Sequence, residues 1–289
     1  MITSDYRYAG VFKCRDREIA IGEKTLVMGI LNCTPDSFSD GGRFTDVEKC
    51  IAQAELMIKE GCDVIDIGGE ATNPKVAPIT AEEEITRILP VIRALKNRFD
   101  IPLSVDTYKA KTARSALDCG CDIVNDITGL FGDPEMAKIC ASYGAGIILM
   151  FNSRIFGAGE NNPDQDIVSR AEEELSRSIK TALDAGIPAD SIMTDPGIGF
   201  GTTRQQDGDL TEELLRFGFD GGYPVLYAAS RKRYVSYLSG KEEITEEEAD
   251  RITAGLSVTA AAFGAAMVRV HNVAASKNAL RAFDSVFYG

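Results

Sequence analysis

Residues 26–68 read LVMGILNCTPDSFSDGGRFTDVEKCIAQAELMIKEGCDVIDIG and contain one complete strand–helix–strand unit. Leu26–Leu31 and Val64–Gly68 are short, mostly apolar runs, which is typical of strands that are buried on both faces. Between them, Asp46–Glu60 carries apolar residues at helical spacing. Two buried strands that are joined by a helix predict neighbouring parallel strands of one sheet.

The same alternation continues to the end of the chain. Six more apolar runs predict strands over Leu103–Thr107, Ile123–Ile127, Gly146–Phe151, Ile192–Asp195, Val225–Ala229 and Met267–His271. Helical patterns follow over Ala81–Phe99, Lys109–Asp118, Pro134–Tyr143, Asp166–Ala185, Asp209–Phe219, Glu246–Phe263 and Ala274–Phe287. This repetition favours a closed (β/α)8 TIM barrel, with a doubly wound open sheet as the alternative.

The segment before the first barrel strand, Gly10–Lys24, has the pattern of a short hairpin and is expected to cover the amino-terminal mouth of the barrel. No linker, low-complexity segment or internal repeat interrupts the chain. We therefore expect residues 1–289 to form a single domain.

Composition narrows the class of protein. The net charge of −13 argues against binding to a nucleic-acid backbone, although a few basic groups in one cleft can still hold a small anion. The seven cysteines are scattered, which favours reduced thiols in the cytosol. There is no secretory leader pattern and no apolar run of about 18 residues. We expect a cytoplasmic protein that does not span a membrane.

Polar side chains occur at the predicted carboxyl ends of most strands. Each one alone is typical of a helix cap, but together they predict a small-molecule site at one mouth of the barrel. The set is Asn32, Glu70, Thr72, Asp106, Asn125, Asp126, Asn152, Asp195, Ser230, Arg231, Lys232, Arg269 and His271.

The chemistry of this set indicates a nitrogen heterocycle with an anionic leaving group. Hydrogen-bond acceptors for ring N–H and amino groups are supplied by Asp106, Asn125 and Asp195. Positive or donor groups for an anion or a ring carbonyl are supplied by Lys232, Arg269 and His271, the last being the chain's only histidine. Asn32 is a neutral oxygen ligand of the kind that joins a phosphate-bound Mg²⁺. The loop DPGIGFG, residues 195–201, lacks the spacing of a dinucleotide-binding fingerprint.

Taken together, these segments resemble the dihydropteroate synthase family. The resemblance is carried by MGILNCTPDSFSDGG (28–42), DVIDIGGEATNP (63–74), SVDTYKA (104–110), IVNDI (123–127), DPGIGFG (195–201), SRK (230–232) and RVH (269–271). It implies a barrel that joins a dihydropterin, activated as its methylene diphosphate, to p-aminobenzoate with the assistance of Mg²⁺. It also implies a homodimer through the last helices.

The resemblance further implies a role for each matching residue. The pterin ring would be held by Asp106, Asn125, Asp195 and Lys232. Diphosphate would be held by Arg269, His271 and, through Mg²⁺, Asn32. The p-aminobenzoate pocket would be lined by Thr72, Pro74 and Phe200, and closed by the loops over residues 34–44 and 71–78. Asp106, Lys232 and Arg269 are the expected catalytic residues.

The chain departs from the family pattern at five places. The arginine expected to grip diphosphate is Asn73, and the small residue expected after Ser-Arg-Lys is Arg233. The other departures are Ala228 for glycine, Phe151-Asn152 for His-Met and Asn272 for aspartate. Lys75 or Arg233 could replace the missing charge, or Arg233 could pair with a carboxylate of the second substrate. Both compensated drift and a changed second substrate remain open.

Two other functions stay open at this point. A pterin-dependent methyltransferase, which moves a methyl group from methyltetrahydrofolate to a corrinoid protein, would use the same ring contacts without a diphosphate site. A non-catalytic pterin-binding paralogue would never release diphosphate.

Overall fold

A computed structural model describes residues 8–34, 43–71 and 77–288. The predicted hairpin is present: β1 (Gly10–Cys14) pairs with β2 (Arg17–Ile21) in antiparallel register, with Cys14 opposite Arg17. Within the described part of the chain, no helix is long and apolar enough to cross a lipid bilayer.

The predicted closed barrel is confirmed. Its strands are β3 (Leu26–Asn32), β4 (Val64–Gly68), β5 (Leu103–Asp106), β6 (Ile123–Asp126), β7 (Gly146–Met150), β8 (Ile192–Asp195), β9 (Leu226–Tyr227) and β10 (Met267–Val270). They form an eight-stranded sheet in the order β8-β7-β6-β5-β4-β3-β10-β9, and every pair is parallel. A parallel bridge between Thr194 and Val225 joins the two outer strands. The open-sheet alternative is therefore wrong.

Helices follow the barrel strands. They are α1 (Arg43–Glu60), α2 (Ala81–Arg98), α3 (Ala110–Asp118), α4 (Met136–Tyr143), α5 (Ile167–Asp184), α6 (Arg204–Glu212), α7 (Arg233–Ser239), α8 (Glu246–Ala262) and α9 (Val273–Phe287).

Two helices differ from expectation. The helix predicted over Asp209–Phe219 begins earlier, because Thr203 and Gln206 form a capping box that starts α6; a 3₁₀ turn, Leu214–Gly218, then follows. Helix α7 was not predicted, since its seven residues between Lys232 and Gly240 are too few to show a period.

The barrel interior has an apolar half and a polar half. The amino half is filled by Leu26, Met28, Val64, Ile123, Ile148, Met193, Leu226 and Met267, against which Phe12 and Cys14 of the hairpin pack. Phe12 packs directly against the backbone of Gly146, where a Cβ would lie only 2.8 Å from its Cζ atom. As expected, the hairpin covers the amino-terminal mouth.

The polar half follows from the pleat of the strands. Side chains two residues apart in a strand lie on the same face. Each of four interior apolar residues is therefore followed, toward the carboxyl mouth, by an interior polar one. These pairs are Val64 and Asp66, Ile123 and Asn125, Met193 and Asp195, and Met267 and Arg269.

Candidate active site

Arg269 lies at the centre of the polar half. Its Nε donates to Asp66 Oδ2 at 2.6 Å, and its Nη2 donates to Asp106 Oδ2 at 2.7 Å. Asn125 Nδ2 donates to the same Asp66 oxygen at 3.2 Å. Strands β4, β5, β6 and β10 thus bring four polar side chains into one buried network.

Asp66, which is fully buried, is not among the predicted site residues. It lies within Val64–Gly68, whose pattern predicts only a buried strand. Its position relative to Val64 could have identified it, because both must face the interior.

The network contains one guanidinium and two carboxylic acid groups, and their charges affect one another's pKa values. Burial raises the pKa of Asp106 to about 7; Arg269 acts against this shift, and the Asp66 carboxylate adds to it. Burial acts to lower the pKa of Arg269, but the carboxylates of Asp66 and Asp106 outweigh it, so the Arg269 pKa is raised. The guanidinium stays charged, and Asp106 titrates near neutral pH.

Lys232 approaches the centre from the turn after β9. Its Nζ donates to Ile198 O at 2.8 Å and lies 4.4 Å from the centroid of the Phe200 ring. Its stem passes close to Gly199, whose φ is +77° and where a Cβ would lie 3.1 Å from Lys232 Cδ. Burial lowers the pKa of Lys232 to about 8, against the opposing charge of Asp195.

Asp195 is a buried carboxylate at the end of β8. Its Oδ1 accepts a hydrogen bond from Gly197 N at 2.7 Å, and burial raises its pKa against the charges of Lys232 and Arg269. In the described part of the chain, no donor forms a hydrogen bond with its second oxygen. An incoming N–H or amino group can take that place.

His271 lies beside Ser230, with 2.9 Å between His271 Nδ1 and Ser230 Oγ. Burial lowers the pKa of His271 to about 3, and the positive charges of Arg269 and Arg231 add to this shift. The imidazole is therefore neutral at physiological pH and acts as a donor or acceptor rather than as a cation.

Asn32 ends β3 and is exposed at the mouth. A Cβ on Gly68 would lie 3.8 Å from Asn32 Oδ1 and 3.7 Å from Asp106 Cβ, so both side chains border that glycine. Among the described residues, no group of three or more His, Cys, Asp or Glu side chains could hold a metal.

The residues that depart from the family pattern make contacts in different parts of the structure. Arg233 donates from Nη2 to Glu160 Oε1 at 3.0 Å. Asn152 donates to Ile127 O at 3.1 Å, and Asn272 caps α9 by accepting from Ala275 N at 2.9 Å. The predicted contacts Thr72 and Pro74, together with Asn73 and Lys75, lie outside the described residues.

Comparisons with known proteins agree on one family. Residues 28–271 match the model of the family described as pterin binding enzyme. The dihydropteroate synthase of Clostridium beijerinckii is 39% identical over 276 residues, which cover 95% of this chain and 98% of that protein. The Clostridium difficile dihydropteroate synthase with pteroic acid superposes with a TM-score of 0.87 at 36% identity, covering 94% of this chain and 100% of that one. The Xanthomonas albilineans enzyme with 4-aminobenzoic acid gives 0.88 at 35% identity, covering 96% and 98%.

Proposed function

This chain belongs to the family of pterin-binding enzymes and is a dihydropteroate synthase, and we propose that the cluster around Arg269 is its active centre. The reaction joins the methylene carbon of the dihydropterin diphosphate to the amine of p-aminobenzoate. The carbon–oxygen bond to diphosphate breaks, a carbon–nitrogen bond forms and the amine loses a proton. The observation that carries the assignment to this cluster is the meeting of Asp106 and Arg269 at the carboxyl mouth. The methyltransferase alternative has no support among the relatives.

The pterin ring is held, in this proposal, by Asn125, Asp195 and Lys232. The second Asp195 oxygen accepts from ring N–H and amino groups, and Lys232 donates to the ring carbonyl. Asp106 balances the positive charge that develops on the methylene carbon as diphosphate departs. A preorganised carboxylate in a buried site stabilises such a charge more than water does.

The leaving diphosphate is held by Arg269 and His271. A guanidinium has five N–H groups, and the contacts to Asp66 and Asp106 use two of those of Arg269, so others are available for phosphate oxygens. The neutral His271 adds a donor.

Mg²⁺ fits the donors present. Mg²⁺ usually takes most of its ligands from phosphates and water and few from the protein, which suits one exposed amide oxygen on Asn32. The ion would neutralise charge on the departing diphosphate.

The second substrate approaches over Phe200, in a pocket that also includes Thr72 and Pro74. The assignment of Thr72 and Pro74 rests on the sequence motif. No strong base is needed, because an aromatic amine is a nucleophile in its neutral form. Excluding water from the pocket protects the cation-like carbon from hydrolysis.

We place this enzyme in the cytoplasm as one domain over residues 1–289 that forms a homodimer through its last helices. The seven cysteines form no disulfide bonds, which supports a reducing compartment. Val286 on α9 is 87% exposed, which supports a contact between subunits through that helix.

The decisive experiment mixes purified protein with the dihydropterin diphosphate and Mg²⁺, with and without p-aminobenzoate. Diphosphate release is followed by a coupled assay, and dihydropteroate by mass spectrometry. Amine-dependent release with formation of dihydropteroate is expected. Diphosphate release without condensation would indicate a different second substrate, and pterin binding without release would indicate a non-catalytic paralogue.

A further inference from the structure

Three arginines gather around one glutamate at the rim of the mouth: Arg154, Arg204, Arg233 and Glu160, here called the rim cluster. Arg233 pairs with Glu160 at 3.0 Å, and Arg204 Nη2 lies 3.8 Å from the same oxygen. Arg204 also pairs with Asp207 at 2.8 Å. Arg154 pairs with no carboxylate in residues 8–34, 43–71 or 77–288. The cluster therefore carries surplus positive charge in a chain whose net charge is −13.

Hydrogen bonds between two loops hold Arg154 beside Gly201. Ser153 Oγ donates to Phe200 O at 2.6 Å, and Glu160 N donates to Gly201 O at 2.6 Å, so the loop after β7 is tied to the glycine loop after β8. The Arg154 stem lies across Gly201, where a Cβ would come within 2.5 Å of Arg154 Cγ.

Lys232 and Arg154 both lie close to the Phe200 ring. Lys232 Nζ is 4.4 Å from the ring centroid, and Arg154 Cζ is 5.7 Å from the same point. Burial lowers the pKa of Arg154, and the neighbouring charge of Arg233 adds to this effect. Two like charges held near each other favour a bound anion between or beside them.

The second substrate has the matching shape and charge. Its amine must reach the reacting carbon near Lys232 and Asp106, and its carboxylate lies at the opposite end of the same ring. A ring that stacks near Phe200 with its amine inward therefore points its carboxylate toward the rim cluster. We propose that Arg154 binds this carboxylate and selects an anionic aromatic amine, with Arg233 adding positive potential. This inference rests on the proposed function.

The test compares two amines that differ in charge alone at the para position: p-aminobenzoate and the neutral p-aminobenzamide. For Arg154→Gln, the KM for p-aminobenzoate is expected to rise by on the order of tenfold or more, as for loss of a charge-assisted hydrogen bond. The KM values for p-aminobenzamide and the pterin diphosphate are expected to stay unchanged. Arg154→Lys should recover part of the preference for the acid. Arg251→Gln is the matched control, because this arginine lies on α8 and pairs with Glu247.

The outcomes distinguish the proposed role of Arg154 from the proposed synthase activity. Turnover by Arg154→Gln with the wild-type preference for acid over amide would overturn the role of Arg154 and leave the synthase activity intact. An equal rise in KM for both amines would overturn it as well, since the effect would then be on the pocket as a whole. If the wild-type enzyme turned over neither amine, the proposed function would fail and this inference with it.

Discussion

Asp106 and Lys232 carry shifted pKa values on opposite sides of one pH window. Burial raises the pKa of Asp106 to about 7, so this carboxyl gains its negative charge as the pH rises through that value. Burial lowers the pKa of Lys232 to about 8, so the ammonium loses its charge as the pH rises further. We expect kcat/KM for the pterin diphosphate to peak between these values, because this ratio reports ionisation of the free enzyme. A flat profile from about pH 6 to 9 would contradict these roles.

Asp66 has a predicted effect on that profile. Its carboxylate shares Arg269 with Asp106, and its negative charge raises the pKa of Asp106. In Asp66→Asn, the rising limb of kcat/KM is therefore expected to move to lower pH. The control is Asp122→Asn, since Asp122 is also a buried, ion-paired carboxylate but lies at the amino end of β6. That variant should lose stability without moving the limb; an equal shift in both would show a general effect of charge.

At the scale of elements, the turn after β9 depends on side chains more than on the sheet. Strand β9 has two residues, and a single bridge beside it connects to β8. Arg231, whose φ is +56°, binds both oxygens of Asp250 on α8 at 2.8 and 2.9 Å. Asn272, the cap of α9, donates to the same carboxylate at 3.1 Å. This network holds the turn that carries Lys232.

Asn272 replaces the aspartate expected from the family pattern. The hydrogen bond that its amide donates to Asp250 gives a physical reason for this replacement. Asn272→Asp would keep the helix cap but replace a donor with a second carboxylate beside Asp250. We expect the free energy of unfolding to fall by about 1.5–3 kcal/mol, as for a lost hydrogen bond to a charged group. Urea denaturation measures this. Asn272→Ser, which keeps a capping oxygen and adds no charge, should lose less; equal stability of Asn272→Asp and wild type would refute the account.

Elements differ in how far sequence alone predicts them. The strand runs and long helices could be predicted because their apolar periods are local. Helix α6 was misplaced, although Thr203 and Gln206 carried the signal for its start. That Asp106, Asn125 and Arg269 meet at one mouth could be predicted from the strand ends. The pairing of Arg269 with Asp66 could not, since these residues are 203 positions apart and meet only when the barrel closes. Arg233 shows the same limit, because it begins α7 whereas its partner Glu160 lies in the 3₁₀ turn Gly159–Asn161.

At the scale of the whole molecule, the residues that stabilise the barrel and those of the proposed active centre lie at opposite ends of its axis. The amino half is filled by apolar side chains and covered by the hairpin, whereas the carboxyl half holds the charged network. Phe12 belongs only to the first of these, because it is fully buried against the apolar half. Removing it should therefore weaken the fold without changing the chemistry of the mouth.

Phe12→Ala tests this separation. Loss of a buried phenylalanine side chain is expected to lower the free energy of unfolding by about 3–5 kcal/mol, because a cavity remains against Gly146. Below the unfolding transition, KM for both substrates should stay at the wild-type value. Val11→Ala on the same strand is the control and should cost less, since Val11 is partly exposed. A raised KM in Phe12→Ala would mean that packing at the amino end positions Arg269 and Asp106 through the strands, and that the two halves of the barrel are coupled.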